Sequence, residues 1–600
     1  MSLSLPTTRT SGVAAFVRDF VSGSPNLLVY GLFALLVGLP LATVLLQAVL
    51  PALFDPRATG IAFSLDPLLR TFSSPRAAQS IVNSLELAAT VAVTTTMLGG
   101  AFAVLVVRCN LPLRPLVAAV PWLVFLTPSY LKALAWVLLM SPGGYLAQIG
   151  LLPPALGQAF FGLGGLVFVH TLSLFPLASF IIGAALMGLG REYEDAARLA
   201  GAGPLKVWLR VNGPLLMPAI ALSAMAIFAE VLSDFGLAST IARLSSFGVL
   251  TYGIYVAASD YPVDFPMAGA QALVLMSLVF LVVLADRLLR RRAGARLISG
   301  RSKPAPLYEL GAWRWVATAG GLLVALLALI LPLAAITIRA ASRTLGRGLS
   351  LDNLTFANIA EALSLGTTAS DAILRSLLWA AMSALVAAAI SFVLAAQLDR
   401  GTANARSAVI GLSLGAVAIP GIVLGFGYIL VWNRLPGFRD WAMPRYGDAS
   451  LLITGYVAAA LPYCLVVIMT AVGQLTPTLG DAARLHGIGP VRRLLAITLP
   501  LVSLSVLTAF VLTFIRTVFE LPISQMLIPV SGPPAPTVIL KLFSHDKDGL
   551  AASIALVAMI AAGSIAAIAW LVFRRLMVRR VAPVPKADPA RLHLALEATS

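Results

Sequence analysis

Cysteine, histidine and charge are all scarce in this chain, and each scarcity removes a class of function. Two cysteines in 600 residues, Cys109 and Cys464, support neither a disulfide framework nor a cysteine metal cluster. The four histidines form no HExxH motif and no clustered set with aspartate, so a membrane-embedded metallohydrolase has no visible seat. No lysine follows a glycine, which excludes the phosphate-cradling GxxxxGK(S/T) loop. Charged residues make up 11% of the chain, against roughly 25% in ordinary soluble domains. That is too little polar surface to keep a chain that is 59% apolar in water.

What is present is a series of apolar runs near the length of a bilayer-crossing helix. Twelve spans are expected, at about 27–50, 79–107, 115–140, 161–190, 214–236, 267–286, 315–338, 373–398, 407–433, 450–475, 500–528 and 550–573. The fold class is therefore an all-α polytopic membrane protein. The first span is too long for a cleaved signal and reads as an uncleaved anchor. With both termini on one side, that side carries 27 Lys/Arg and the other 12, with Lys132, Arg375 and Arg516 within or near spans. The positive-inside rule then places both termini in the cytoplasm, and the net charge of +17 reads as topology rather than a nucleic-acid footprint.

The chain repeats itself. DAARLAGAG at Asp195 returns as DAARLHGIG at Asp481, an offset of 286. NSLELAATVAVTTTMLGGAFAVLVVR (Asn83 to Arg108) parallels RSLLWAAMSALVAAAISFVLAAQLDR (Arg375 to Arg400) at an offset of 292, which also relates Pro40 to Pro332. Two parallel six-helix repeats are expected, packed about an axis along the membrane normal with a pathway between them. The divisions are a cytoplasmic segment 1–26, a first half 27–286, a basic linker 287–314, a second half 315–573 and a cytoplasmic tail 574–600.

Each repeated phrase lies in the cytoplasmic loop between the fourth and fifth spans of its half. Acids open it, as suits a helix N-terminus. The small residues Ala196, Ala197, Ala482 and Ala483 permit close approach to another surface, and Gly201 and Gly487 supply helix C-caps. Gly-Pro at 203–204 and 489–490 starts a second short helix, and Pro214 and Pro500 open the next span. The expected product is a helix–turn–helix foot below the membrane, once per half.

These feet resemble the cytoplasmic loop of bacterial ABC importer permease subunits, which reads EAA, three residues, Gly, nine residues, Ile-x-Leu-Pro. Here the phrase is Asp195-Ala196-Ala197, Gly201 and Val211-Asn-Gly-Pro214. In the second copy it is Asp481-Ala482-Ala483, Gly487 and Ile497-Thr-Leu-Pro500. The resemblance implies that these residues form coupling helices seated in grooves of two copies of an ABC ATPase. ATP and magnesium would then sit on those partners, with no cofactor on this chain. Arg198, Lys206 and Arg210, with Arg484, Arg492 and Arg493, could face acids on that partner or lipid headgroups.

The fused two-half layout is similar to that of ferric iron permeases, a layout shared by thiamine and aminoethylphosphonate permeases. TPSYLKALAW (Thr127 to Trp136), EVLSDFG (Glu230 to Gly236) and FGVLTYGIY (Phe247 to Tyr255) look like segments of that group. The resemblance implies a bacterial inner-membrane permease fed by a periplasmic binding protein. Ferric iron leads as cargo, with thiamine, aminoethylphosphonate, a polyamine or a phosphorylated small molecule as alternatives. A secondary transporter would not need two matched feet. The binding protein would meet loops 51–78, 237–266, 339–372 and 529–549.

Charges in the spans are costly and mark either structure or pathway. Glu230, Asp234, Arg516 and Glu520 lie toward the outer ends of the paired fifth spans, with Glu230 matching Arg516 and Asp234 matching Glu520 at the 286 offset. These residues and Tyr130 are candidates for a gate or substrate pathway, and structural salt bridges are the alternative. His170 and His486 have no companion at ligand spacing, so no metal site within the membrane is expected.

Overall fold

The computed structural model describes residues 30–54, 62–245, 247–292, 307–398, 409–413, 415–416, 418–435 and 446–580. The expected segment 1–26, half of the linker 287–314 and most of the tail 574–600 lie outside the described residues. Regular structure among the described residues is helical, with two isolated β-bridges. The N-terminal half runs α1 (Tyr30–Val49), α2 (Pro75–Arg108), α3 (Arg114–Leu126), α4 (Ser129–Met140), α5 (Leu163–Gly188), α6 (Arg191–Leu199), α7 (Leu205–Ser233), α8 (Gly236–Ala242) and α9 (Phe265–Leu288). The C-terminal half runs α10 (Trp313–Ala340), α11 (Thr368–Ala396), α12 (Gly421–Ile429), α13 (Ala449–Val472), α14 (Pro477–Leu485), α15 (Pro490–Val518), α16 (Pro522–Met526) and α17 (Asp548–Leu576).

Ten of these, all but α3, α4, α6, α8, α12, α14 and α16, are long and apolar enough to cross a bilayer. The molecule is an all-α polytopic membrane protein. The expected span 115–140 is not one straight helix, because α3 and α4 meet at a 100° bend. Pro128 forces its predecessor out of the helical region, and Thr127 is extended at φ −84°, ψ 126°. Counting that bent pair as one span gives eleven among the described residues. The expected ninth span, 407–433, is only partly described, and its helix α12 restarts behind Pro420.

The fifth and eleventh spans also start earlier than expected. No separate second foot helix exists, since Pro204 and Pro490 open helices that continue into α7 and α15. Continuity comes from π-helical turns at Trp208–Asn212 and Leu494–Thr498, just ahead of Pro214 and Pro500. A proline offers no N–H and crowds the preceding turn, and a widened turn accommodates both defects. The same device precedes Pro40 (Ala34–Gly38) and Pro332 (Leu326–Ile330).

Helices α2, α5 and α7 pack against one another, as do α11, α13 and α15. Helix α1 lies on α9 and α10 on α17, while α8 rests on α4 and α16 on α12. The first helix of each half also reaches across, α1 onto α12 and α10 onto α4. At the first crossing a Cβ on Gly427 would fall 2.4 Å from the Pro40 carbonyl oxygen, so only glycine fits. Beside it the Tyr428 hydroxyl donates to the Leu36 carbonyl at 3.0 Å.

Candidate functional site

The two feet close identically. Gly201 and Gly487 take φ of +80° and +70°, the left-handed conformation that ends a helix. Their N–H groups donate to the Arg198 and Arg484 carbonyls, each at 2.9 Å, and the next residues donate to Ala197 and Ala483, each at 3.0 Å. That is a complete Schellman cap in both copies. Asp195 and Asp481 do not open their helices, which begin four residues earlier at Arg191 and Pro477. Each pairs instead within its own helix, Asp195 with Arg191 at 2.7 Å and Asp481 with Arg484 at 3.4 Å. Ala196 and Ala482 face outward, and Ala483 is buried.

Sequence reasoning missed the tips. Leu199 and Leu485, 286 apart, are 91% and 88% exposed. An almost fully exposed leucine therefore ends each foot at the matching position. The sequence signal was there, since both belong to the repeated DAARL. Also missed was Glu194, which is buried beside its half-buried neighbour Asp195 and is treated below.

The intramembrane acids have a structural task. Asp234 Oδ2 accepts from the Leu237 and Ala238 N–H groups at 3.0 and 3.1 Å, capping α8. Glu520 does the same for α16, accepting from Ile523 at 2.9 Å and Ser524 at 3.0 Å. These are equivalent bonds at equivalent positions, each meeting N–H groups that a helix start leaves unpaired. Behind each cap stands a residue of the fourth span, also 286 apart: His170 Nε2 lies 3.4 Å from Asp234, and the Tyr456 and Ser524 hydroxyls are 2.6 Å apart. Ser524 Oγ in turn is 3.2 Å from Glu520 Oε2.

Tyr130 is 3% exposed, and its hydroxyl has no hydrogen-bond partner among the described residues. It meets the cap region at Gly236, whose absent Cβ would lie 3.2 Å from Tyr130 Cβ and 3.5 Å from Leu521. The two halves therefore touch where their short helices begin. Lys132, also buried, sends its ammonium to the Val124 carbonyl at 3.1 Å and so spans the α3–α4 break rather than reaching the interface. Arg375 pairs with Asp371 at 3.6 Å and packs on the Gly532 loop.

Glu230 and Arg516 differ from the caps. Both are exposed although they lie on spans α7 and α15, and Arg516 stacks over the Tyr463 ring at 4.7 Å. Charged groups do not face lipid cheaply, so exposure here points to a wet space along these two helices. His486 sits on the foot surface. Among the described residues no three His, Cys, Asp or Glu side chains gather as a metal site, and both cysteines are free and buried. A GxSxG spacing, which the sequence reading overlooked, occurs at Gly411 to Gly415, where Ser413 is buried and its hydroxyl has no partner among the described residues.

No family model matches the chain. It is 23% identical over 514 residues to the ferric transport system permease protein FbpB of Actinobacillus pleuropneumoniae, covering 84% of this chain and 72% of that one. It is 26% identical over 216 residues to the putrescine transport system permease protein PotI of Escherichia coli K12, covering 35% of this chain and 75% of that protein. Over 159 residues it is 31% identical to the molybdenum transport system permease protein ModB of the same strain, covering 26% of this chain and 69% of that protein. With two capped helical feet, a helical membrane body and these relatives, the chain belongs to the ABC transporter permeases, which are transport subunits and not themselves enzymes.

Proposed function

We infer that this chain is a two-half permease subunit of an ABC importer, set in the bacterial inner membrane with both termini in the cytoplasm. The observation that carries the reading is the pair of identically capped feet with exposed Leu199 and Leu485 at their tips. Each foot seats in a groove of one copy of an ABC ATPase. Asp195, Ala196, Ala197, Gly201 and Pro214, with Asp481, Ala482, Ala483, Gly487 and Pro500, form the docking elements. A periplasmic binding protein delivers the cargo to the outer loops, and Glu230 and Arg516 line the route between halves.

Ferric iron is the leading cargo, supported by relatives named for ferric transport that align along 84% of the chain, whereas those named for putrescine and molybdenum align along 35% and 26%. Deleting this chain should abolish accumulation of ferric iron from the medium and spare that of putrescine, thiamine and molybdate. Unchanged iron uptake with loss of another of these would reassign the cargo.

Leu199→Glu and Leu485→Glu should each lower co-purification of the ATPase about 10-fold, since burying an unpaired carboxylate in an apolar groove is costly. Full retention of the ATPase by the double variant would remove the tips from the docking surface.

A further inference from the structure

The acid next to the motif is bound quite differently from the motif acid itself. Glu194 is 3% exposed. Its Oε1 accepts from Asn212 Nδ2 at 3.1 Å and from the Tyr308 hydroxyl at 2.9 Å, and lies 3.1 Å from Arg108 Nη2. Oε2 lies 3.0 Å from the same hydroxyl and 3.8 Å from Arg198 Nη2. One carboxylate thus joins the foot α6, the end of α2, the π-turn of α7 and the linker between the halves. Burial, and then the bond to Glu194, raises the Tyr308 hydroxyl above its ordinary pKa, so it stays protonated as the donor.

Tyr308 is in turn fixed by its backbone. Its N–H donates to the Arg108 carbonyl at 2.6 Å, and its carbonyl accepts from Asn110 at 3.2 Å. Leu310 N–H donates to Asn110 Oδ1 at 3.2 Å, and Thr318 Oγ1 in α10 lies 3.3 Å from the Pro112 carbonyl. Polar contacts at Tyr308, Leu310 and Thr318, joined by short stretches of chain, thus tie the foot to the first helix of the other half.

Among the described residues the second foot shows no such path. At the repeat offsets Gly480 stands in the place of Glu194, Thr498 in that of Asn212 and Phe16 in that of Tyr308. Glycine has no carboxylate and phenylalanine no hydroxyl, so the clamp belongs to one foot alone.

We propose that Glu194 and Tyr308 form a coupling clamp that passes movement of the first foot to α10 and the second half, making the two feet mechanically unequal. Both are positioning residues, and their role rests on the reading of the feet as ATPase docking elements. During the cycle the first foot and the start of α10 move as one body, while the second foot moves only with its own helices.

The test uses the full chain with its ATPase and binding protein in proteoliposomes. Two quantities are read: ATPase retained, and ATP hydrolysed per ferric ion accumulated (or per molecule of whichever cargo the deletion assay returns). With retention at the wild-type level, the ratio should rise about 3-fold in Tyr308→Phe and about 10-fold in Glu194→Ala, because coupling rather than docking is lost. The mirror variant Thr498→Val should leave the ratio unchanged. A wild-type ratio in Tyr308→Phe overturns the clamp, and because that variant removes one oxygen atom it decides the matter even if Glu194→Ala does not insert. An equal rise in Thr498→Val overturns the asymmetry. A wild-type chain that retains no ATPase overturns the docking reading instead.

Discussion

Gly487→Pro is expected to abolish uptake while the chain still reaches the membrane. At this residue φ is +70°, whereas proline is held near about −65°, so the ring cannot occupy the cap. Proline also lacks the N–H that Gly487 donates to Arg484 at 2.9 Å, so the Schellman cap loses a bond as well as its geometry. The foot lies outside the spans, and nothing within 4 Å of the site would meet an added Cβ, so the damage stays local. Gly487→Ala isolates the backbone effect: it keeps the N–H and costs about 1–2 kcal/mol for the left-handed conformation. Uptake and ATPase retention should fall in that order, wild type above alanine above proline. Normal ATP-driven uptake by the proline variant, with normal amounts in the membrane, would mean that the second foot does not dock.

Glu520→Lys is expected to stop uptake with little loss of ATPase retention. The carboxylate caps α16 through Ile523 and Ser524 N–H groups, against α12 and α13 and at the opposite end of α15 from the second foot. Its removal leaves two inward-facing donors unpaired, each costing about 1–3 kcal/mol. Lysine adds a cation in the field of Arg516, on which Glu520 acts in the native protein. Glu520→Gln separates capping from charge, since its single carbonyl oxygen can still accept one of the two bonds. It should retain part of the uptake, and Asp234→Asn at the matching cap should behave alike. Wild-type uptake by Glu520→Lys would show that the short helix needs neither its cap nor its place at the interface between halves.

The feet were legible because every feature that shapes them is local. A glycine that must turn left-handed and a proline that starts a helix act within a few residues of chain, whereas the acids read as helix openers lie four residues inside their helices. The spans were legible for a similar reason, since the bilayer demands about 20 apolar residues wherever a helix crosses. Errors arose where a local signal had two readings. Pro128 read as part of a straight span, yet it breaks the helix by 100°. Pro214 read as a helix start, yet a π-turn carries the helix through it.

By itself the sequence determined a membrane-spanning helical protein whose two halves each repeat a DAARL turn capped by glycine. Only the tertiary structure decided which charges are structural. Asp234 and Glu520 become caps, Lys132 bridges a broken helix, Glu194 is buried while Asp195 is only half-buried, and Glu230 and Arg516 remain open. The physical reason is that a charge is assigned by its partners. Those of Glu194 lie 86 residues before it (Arg108), 18 after it (Asn212) and 114 after it (Tyr308), distances that periodicity and spacing cannot see.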